Sequence, residues 1–426
     1  MKKFFFVLIV SCFLVACDHE SEEPEIQFVP EQTILMYFPW SQDSNDIYLH
    51  LLNNISAMQM AVENNRGLGQ RKIMVFIAQS STRAALLDFR YIADNKDQQD
   101  GRCVADTIKQ YTHLSGKDFT TAAGMTSIFK DVMQASRGTK SYSLIIGCHG
   151  MGWLPAGTDI FPNPSTTWAK RELSANNAAA ANNGKNIVLT RYFGHSLLKS
   201  YQTEVSELSA AVKNTFGKTK FIVFDDCYMS NIEVAYELKE VTENYIASPI
   251  EMMIAGLPYR TLGMDLINEN YQNVCDKFHA YYSSDAYNQY GALAVTKTSE
   301  IDDMANIIKR INAKYPEGSM SAEELKAIQN YDLLDNPVFL DMSDYVMTLC
   351  KEKDVALYQE FVNQMDKMIP YKCHTTDFVV TTHQDDMGHP LYGKIKTYSG
   401  ISISDPSMHP GIQEAKKLTG WWKATH

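Results

Sequence analysis

A short apolar run that stops on two acids and a cysteine constrains this chain more than any other feature. From Lys220 the sequence reads Lys-Phe-Ile-Val-Phe-Asp-Asp-Cys-Tyr-Met-Ser-Asn. Phe221 to Phe224 is rich in β-formers and reads as a buried strand. From Ser230 the period turns helical, with Ile232, Ala235, Tyr236 and Leu238 on one face and Ser230 or Asn231 as the cap. Cys227 therefore falls in a strand-to-helix turn. Ligands in open α/β sheets bind at the carboxyl ends of strands, and a helix N-terminus favours a thiolate.

A second stretch has the same grammar. Tyr142 to Gly147 is an apolar strand, and Cys148-His149-Gly150-Met151-Gly152-Trp153 follows it. Glycines there let backbone approach a ligand closely. A thiol and an imidazole at two strand ends of one parallel sheet face a common edge, as a nucleophile and a general acid or base must. Taken singly, the cysteine is a small buried hydrophobe and His-Gly is a turn. Their joint placement after two strands is what favours chemistry.

Strand–His-Gly followed by strand–Asp-x-Cys resembles the caspase-like cysteine peptidases. Asp225-Asp226-Cys227-Tyr228-Met229-Ser230-Asn231 with Cys148-His149-Gly150 resembles the clostripain family more closely. The spacing from His149 to Cys227 exceeds the roughly 50 residues of caspases. The resemblance runs from about Thr33 to Trp422. It implies an α/β fold: a caspase-like, mostly parallel sheet with helices on both faces, plus a C-terminal α/β elaboration. It implies Cys227 as nucleophile, His149 as general acid and base, and the N–H groups of Gly150 and Cys227 as the oxyanion hole. It also implies Asp225 as a carboxylate for a basic P1 side chain. No cofactor is required, and calcium stays an open option.

The chain starts with Lys2 and Lys3, an apolar core from Phe4 to Phe13, and Leu14-Val15-Ala16-Cys17. The core is too short to span a membrane, and the four residues resemble the lipobox of a bacterial lipoprotein. We expect a signal peptide at 1–16, lipidation of Cys17, and an acidic tether at 17–31. That makes the protein lipid-anchored, at the outer membrane or cell surface, with the membrane and a protein or peptide substrate as partners. The net charge of −11 argues against nucleic acid. The six cysteines after Cys17 show no Cys-x-x-Cys spacing, so neither a disulfide framework nor a zinc site is expected.

Residues 32–262 are expected to form the caspase-like catalytic domain, and 263–426 the C-terminal elaboration packed on it. Strands are expected at Thr33–Phe38, Lys72–Ala78, Tyr245–Ser248 and Gly291–Lys297, with Ala84–Ala93 as an antiparallel extension. Helices are expected with Leu49, Leu52, Ile55, Met58 and Val62 on one face, at Thr126–Ser136, at Ile301–Tyr315 and at Ser343–Met365. Between the motifs, 155–185 reads as a polar loop insertion. Clostripain relatives are commonly cut there, with Lys170, Arg171 and Lys185 as the basic residues on offer. The same relatives often carry an acid where Ala255 stands, so Asp225 supports a basic P1 preference and Ala255 opposes it. A peptidase cutting after Arg or Lys is one reading. A non-catalytic or specificity-altered lipoprotein that binds peptides or proteins is the other.

Overall fold

The computed structural model describes residues 29–39, 47–94, 101–156, 160, 193–194, 199–284, 289–385, 387 and 389–426. The expected leader, Cys17, the tether before residue 29, and all of 155–185 except 155, 156 and 160 lie outside them. So do Lys170, Arg171 and Lys185.

Nine strands form one sheet. In chain order they are β1 (Gln32–Phe38), β2 (Arg71–Ser80), β3 (Arg83–Ala93), β4 (Gly101–Tyr111), β5 (Ser141–Ile146), β6 (Thr219–Phe224), β7 (Thr242–Ala247), β8 (Ala292–Lys297) and β9 (Tyr371–His374). Across the sheet the order is β9-β8-β7-β6-β5-β1-β2-β3-β4. The five central strands, β7 to β2, pair in parallel, and antiparallel pairs extend the sheet at each side. The central strands are near-continuous apolar runs because both faces are covered; every residue of β1 is buried. At the edge, β4 is largely exposed and carries Arg102, Asp106 and Lys109, charges that discourage pairing with another chain.

Helices cover both faces. Helix α1 (Ile47–Asn64) packs against α5 (Tyr259–Ile267), which packs against α6 (Tyr271–Ser284). On the other side α2 (Ala122–Ala135), α3 (Val205–Lys213) and α4 (Ile232–Leu238) pack in succession, joined by α7 (Ile301–Lys314) through the C-terminal helix Gly420–Thr425. Residues beyond 262 thus add β8 and β9 to the sheet and α7 to its cover.

Two expectations about helices are corrected. The buried ladder of α1 starts at Leu51 and continues through Ile55, Met58 and Val62, while Leu49 and Leu52 face solvent. The apolar residues allowed two overlapping stripes, and packing chose the one running to Val62. The segment 343–365 is two helices, α8 (Met342–Cys350) and α9 (Val355–Met368). Asp354 breaks it by accepting the Leu357 N–H at 3.1 Å as an N-cap. The tail is anchored by Trp421, fully buried, whose Nε1–H donates to Asp405 at 3.2 Å.

Candidate active site

Strands β5 and β6 are neighbours in the parallel centre, paired Leu144 with Ile222, Ile145 with Val223 and Ile146 with Phe224. The two strands therefore end level. His149 stands three residues past Ile146, and Cys227 three residues past Phe224. Both line one cleft of about 430 Å³, with Gly150, Asp225 and Asp226. Each motif contributes the residue expected of it, and Gly150 is also where the two turns meet. A Cβ at Gly150 would lie 2.5 Å from the Cys227 carbonyl oxygen, so only glycine permits the approach.

Cys227 is half-buried, in a turn whose shape the sequence did not give away. Helix α4 starts only at Ile232, capped by the Asn231 side chain, which accepts the Val234 N–H. Asn231 is one of the two caps expected, and the turn from Asp225 to Ser230 joins β6 to it. Its bend comes from Tyr228, at φ +56°, a left-handed conformation uncommon for a non-glycine residue. Surrounding contacts hold it there. Its N–H donates to Ile250 O at 3.0 Å, its ring stacks on Phe339, and its hydroxyl donates to Glu251 at 3.2 Å. The Met252 N–H donates to Cys227 Sγ at 3.3 Å. A hydrogen bond to the thiolate favours the charged form.

Asp225 is 8% exposed. The Leu257 N–H donates to its Oδ1 at 2.9 Å and the Tyr259 hydroxyl to its Oδ2 at 2.8 Å. Burial pushes its carboxyl up to about 7, against the opposite pull of those two bonds. Gly256, at φ +66°, comes so close that a Cβ would meet Oδ2 at 2.6 Å. Ala255, one residue earlier, is exposed and is not among the cleft-lining residues.

The facing wall holds what the sequence analysis missed. Glu251 is buried and accepts from five donors: the Tyr228 hydroxyl, and the N–H and hydroxyl of both Thr381 and Thr382 at 2.6 to 3.1 Å. The two threonines belong to strand β10 (Asp377–Gln384), which pairs antiparallel with β11 (Pro390–Lys394). Glu251 so fastens a hairpin from the C-terminal region to the loop after β7, and Thr381 and Thr382 line the cleft. No spacing rule joins residues 130 positions apart. The one signal available was an acid inside the apolar run Ile250 to Ile254. The rest of the lining is largely apolar, with Ile47, Leu51, Met252, Met253 and Ile254. Among the described residues no group of three or more His, Cys, Asp or Glu is arranged to hold a metal ion. Asp385 instead closes its own turn by accepting the N–H groups of Met387 and His389.

Comparison with known proteins bears on this cleft. A model of the clostripain family matches residues 177–399. A secreted C11 cysteine protease from Bacteroides thetaiotaomicron is 36% identical, covering 93% of this chain and 100% of its own, with a TM-score of 0.76. A clostripain from the same species, in complex with the peptide inhibitor BTN-VLTK-AOMK, is 38% identical over 55% of this chain and 99% of its own, with a TM-score of 0.50. An inactive zymogen C11 protease from Parabacteroides distasonis shares the fold at 23% identity, covering 93% and 99%, with a TM-score of 0.71. No curated protein matches the chain. With a family model over more than half of its length and a relative 36% identical across nearly all of it, the chain belongs to the clostripain family and is a cysteine-type peptidase.

Proposed function

We propose that the protein is an endopeptidase in which Cys227 and His149 act as the catalytic pair. The observation that carries this is their placement, three residues past two level strand ends and in one cleft. The Cys227 thiolate attacks the peptide carbonyl carbon and forms a thioester as the C–N bond breaks. His149 gives its proton to the leaving amine, then takes one from the water that hydrolyses the thioester and regenerates the thiol. The N–H groups of Gly150 and Cys227 serve the oxyanion, a role where one donor is worth about 100-fold or more. The test is turnover of a fluorogenic peptide library by the purified protein, with and without calcium. Cleavage by a Cys227→Ala variant would refute the assignment.

A basic P1 side chain is the preferred guest. Asp225 is a carboxylate at the cleft that burial holds partly neutral near pH 7, and a guanidinium or ammonium beside it would relieve that cost. The related clostripain bound to an inhibitor with a Lys in its peptide supports the same choice. One observation favours a second reading, an uncharged P1: both Asp225 oxygens are already engaged and the rest of the lining is largely apolar. Cleavage after Arg and Lys against Leu, Met and Ala separates the two.

We further propose the organisation expected from the sequence: a leader at 1–16, a tether at 17–31, a catalytic unit at 32–262 and an elaboration at 263–426. Anchoring through a lipid on Cys17 would hold the enzyme at the outer membrane or cell surface. Metabolic labelling with a fatty acid should then disappear in a Cys17→Ala variant.

A further inference from the structure

The parallel ladder between β5 and β6 ends in an unusual way. Its last regular bond runs from the Asp225 N–H to Ile146 O at 2.8 Å. In a continued ladder with this register, the next N–H, that of Cys148, would donate to the Asp225 carbonyl. It donates instead to the side chain of Asp226, Oδ1, at 2.5 Å, and the Cys148 thiol donates to Oδ2 at 3.4 Å. Asp226 directly precedes Cys227, and Cys148 directly precedes His149. One carboxylate thus spans the two turns at the point where the main chains part.

The place is tightly packed. Asp226 is buried, and a Cβ on Gly150 would lie 2.7 Å from the Asp226 Cβ. Burial pushes the Asp226 carboxyl well above the usual range, the neighbouring Asp225 adds to the push, and the Cys148 bonds oppose it. Keeping an acid here is costly, and a plain hydrophobe would fill the volume without that cost.

We propose that Asp226 is a positioning residue of the peptidase, its carboxylate replacing the missing ladder bond and so fixing the His149 turn against the Cys227 turn. The inference rests on the reading of His149 and Cys227 as the catalytic pair. In this role Asp226 acts through the backbone of Cys148 on one side and its own backbone on the other.

The test compares Asp226→Ala and Asp226→Asn in the full chain, with Cys227→Ala as control. Steady-state kinetics and the rate of inactivation by iodoacetamide against pH are both read, at a temperature where circular dichroism shows each protein folded. Removing the carboxylate should lower kcat by about 10–100-fold, the cost of a small misplacement of reacting groups, with KM little changed. It should also move the inflection of the inactivation profile upward, as the imidazole shifts relative to the thiol. Asp226→Asn keeps an oxygen for the Cys148 N–H and should recover most of kcat and the wild-type inflection. Unchanged kcat and inflection in Asp226→Ala would overturn the proposal. So would equal loss in both variants, or a variant with no folded temperature, since each points to a purely structural acid. An active Cys227→Ala would instead overturn the catalytic pair itself and leave the packing of Asp226 as described.

Discussion

His149 and Cys227 follow neighbouring strands whose register is set by main-chain hydrogen bonds, whereas the residues facing them are held by side chains. On the first wall, Ile146 and Phe224 end level and the motif residues follow at equal distance. On the second, Glu251 collects four donors from two residues 130 and 131 positions away. In a wall made of strand ends, losing one side chain leaves the ladder up to Ile146 and Phe224 intact. A wall made around one buried carboxylate depends on that group. The difference teaches where each wall is most easily changed: the first, with the proposed catalytic pair, at single side chains that leave the ladder in place, the second at one buried carboxylate.

The largest effect should come from the first wall without any change in fold. Cys227→Ala should abolish turnover, and His149→Ala should lower kcat by about 100-fold or more, the usual worth of general acid–base catalysis. Both variants should melt with the wild type, because neither side chain carries the ladder. A large loss of melting temperature in either would break the comparison.

Glu251→Ala should do the reverse. It strands the donors of Thr381 and Thr382 and removes the partner of Tyr228, the left-handed residue next to Cys227. Each donor left without a partner costs about 1–3 kcal/mol if it stays buried. Some will reach water, so a net loss of roughly 2–4 kcal/mol is expected, measured by denaturant unfolding. KM should rise across all substrates as the hairpin Asp377–Lys394 loosens. Unchanged stability would show that the second wall does not hang on this acid.

The same division explains what could be read from the sequence. The strands around both motifs, the β3 extension and the amphipathic α7 were legible because each is a local pattern of apolar residues. The placement of His149 and Cys227 just past two strands was legible for the same reason, since a turn after a strand is local. The longer turn after Cys227 was not: it depends on Tyr228 being held in a left-handed conformation by Ile250, Glu251 and Phe339, all distant in sequence. Nor was the choice of face on α1, where Leu49 and Leu52 fit the period but Leu51 met the core. Glu251, Thr381 and Thr382 left no pattern, because side-chain hydrogen bonds across 130 residues have no period.

Asp225 belongs to both walls, on the strand-end turn but bonded to Leu257 of the loop and to Tyr259 at the start of α5. Asp225→Asn should weaken basic P1 substrates by about 1–3 kcal/mol, the range for a charged hydrogen bond, and leave uncharged ones nearly unaffected. Equal losses for Arg and Leu substrates would mean that Asp225 supports the loop and does not meet the guest.

The smallest effect, and the sharpest, is in pH. The Asp225 carboxyl is raised to about 7 in the folded protein by burial, against about 3.9 for a free aspartate. A raised folded value means that the native state holds a proton the unfolded state releases. The resulting stability is therefore fully present below about pH 3.9 and is lost as pH rises through about 7. Binding of a basic P1 group runs the other way, because it needs the carboxylate. For an Arg substrate, kcat/KM should fall about tenfold per pH unit below 7, equal to about 1.4 kcal/mol, in excess of any fall seen with a Leu substrate. Every other group acts in both assays, so the ratio of the two substrates isolates Asp225. In Asp225→Asn that ratio should be flat with pH. A ratio that does not change in the wild type between pH 5.5 and 8 (roughly, the span around the raised value) would mean that the guest never meets this acid, and the uncharged P1 reading would stand in its place.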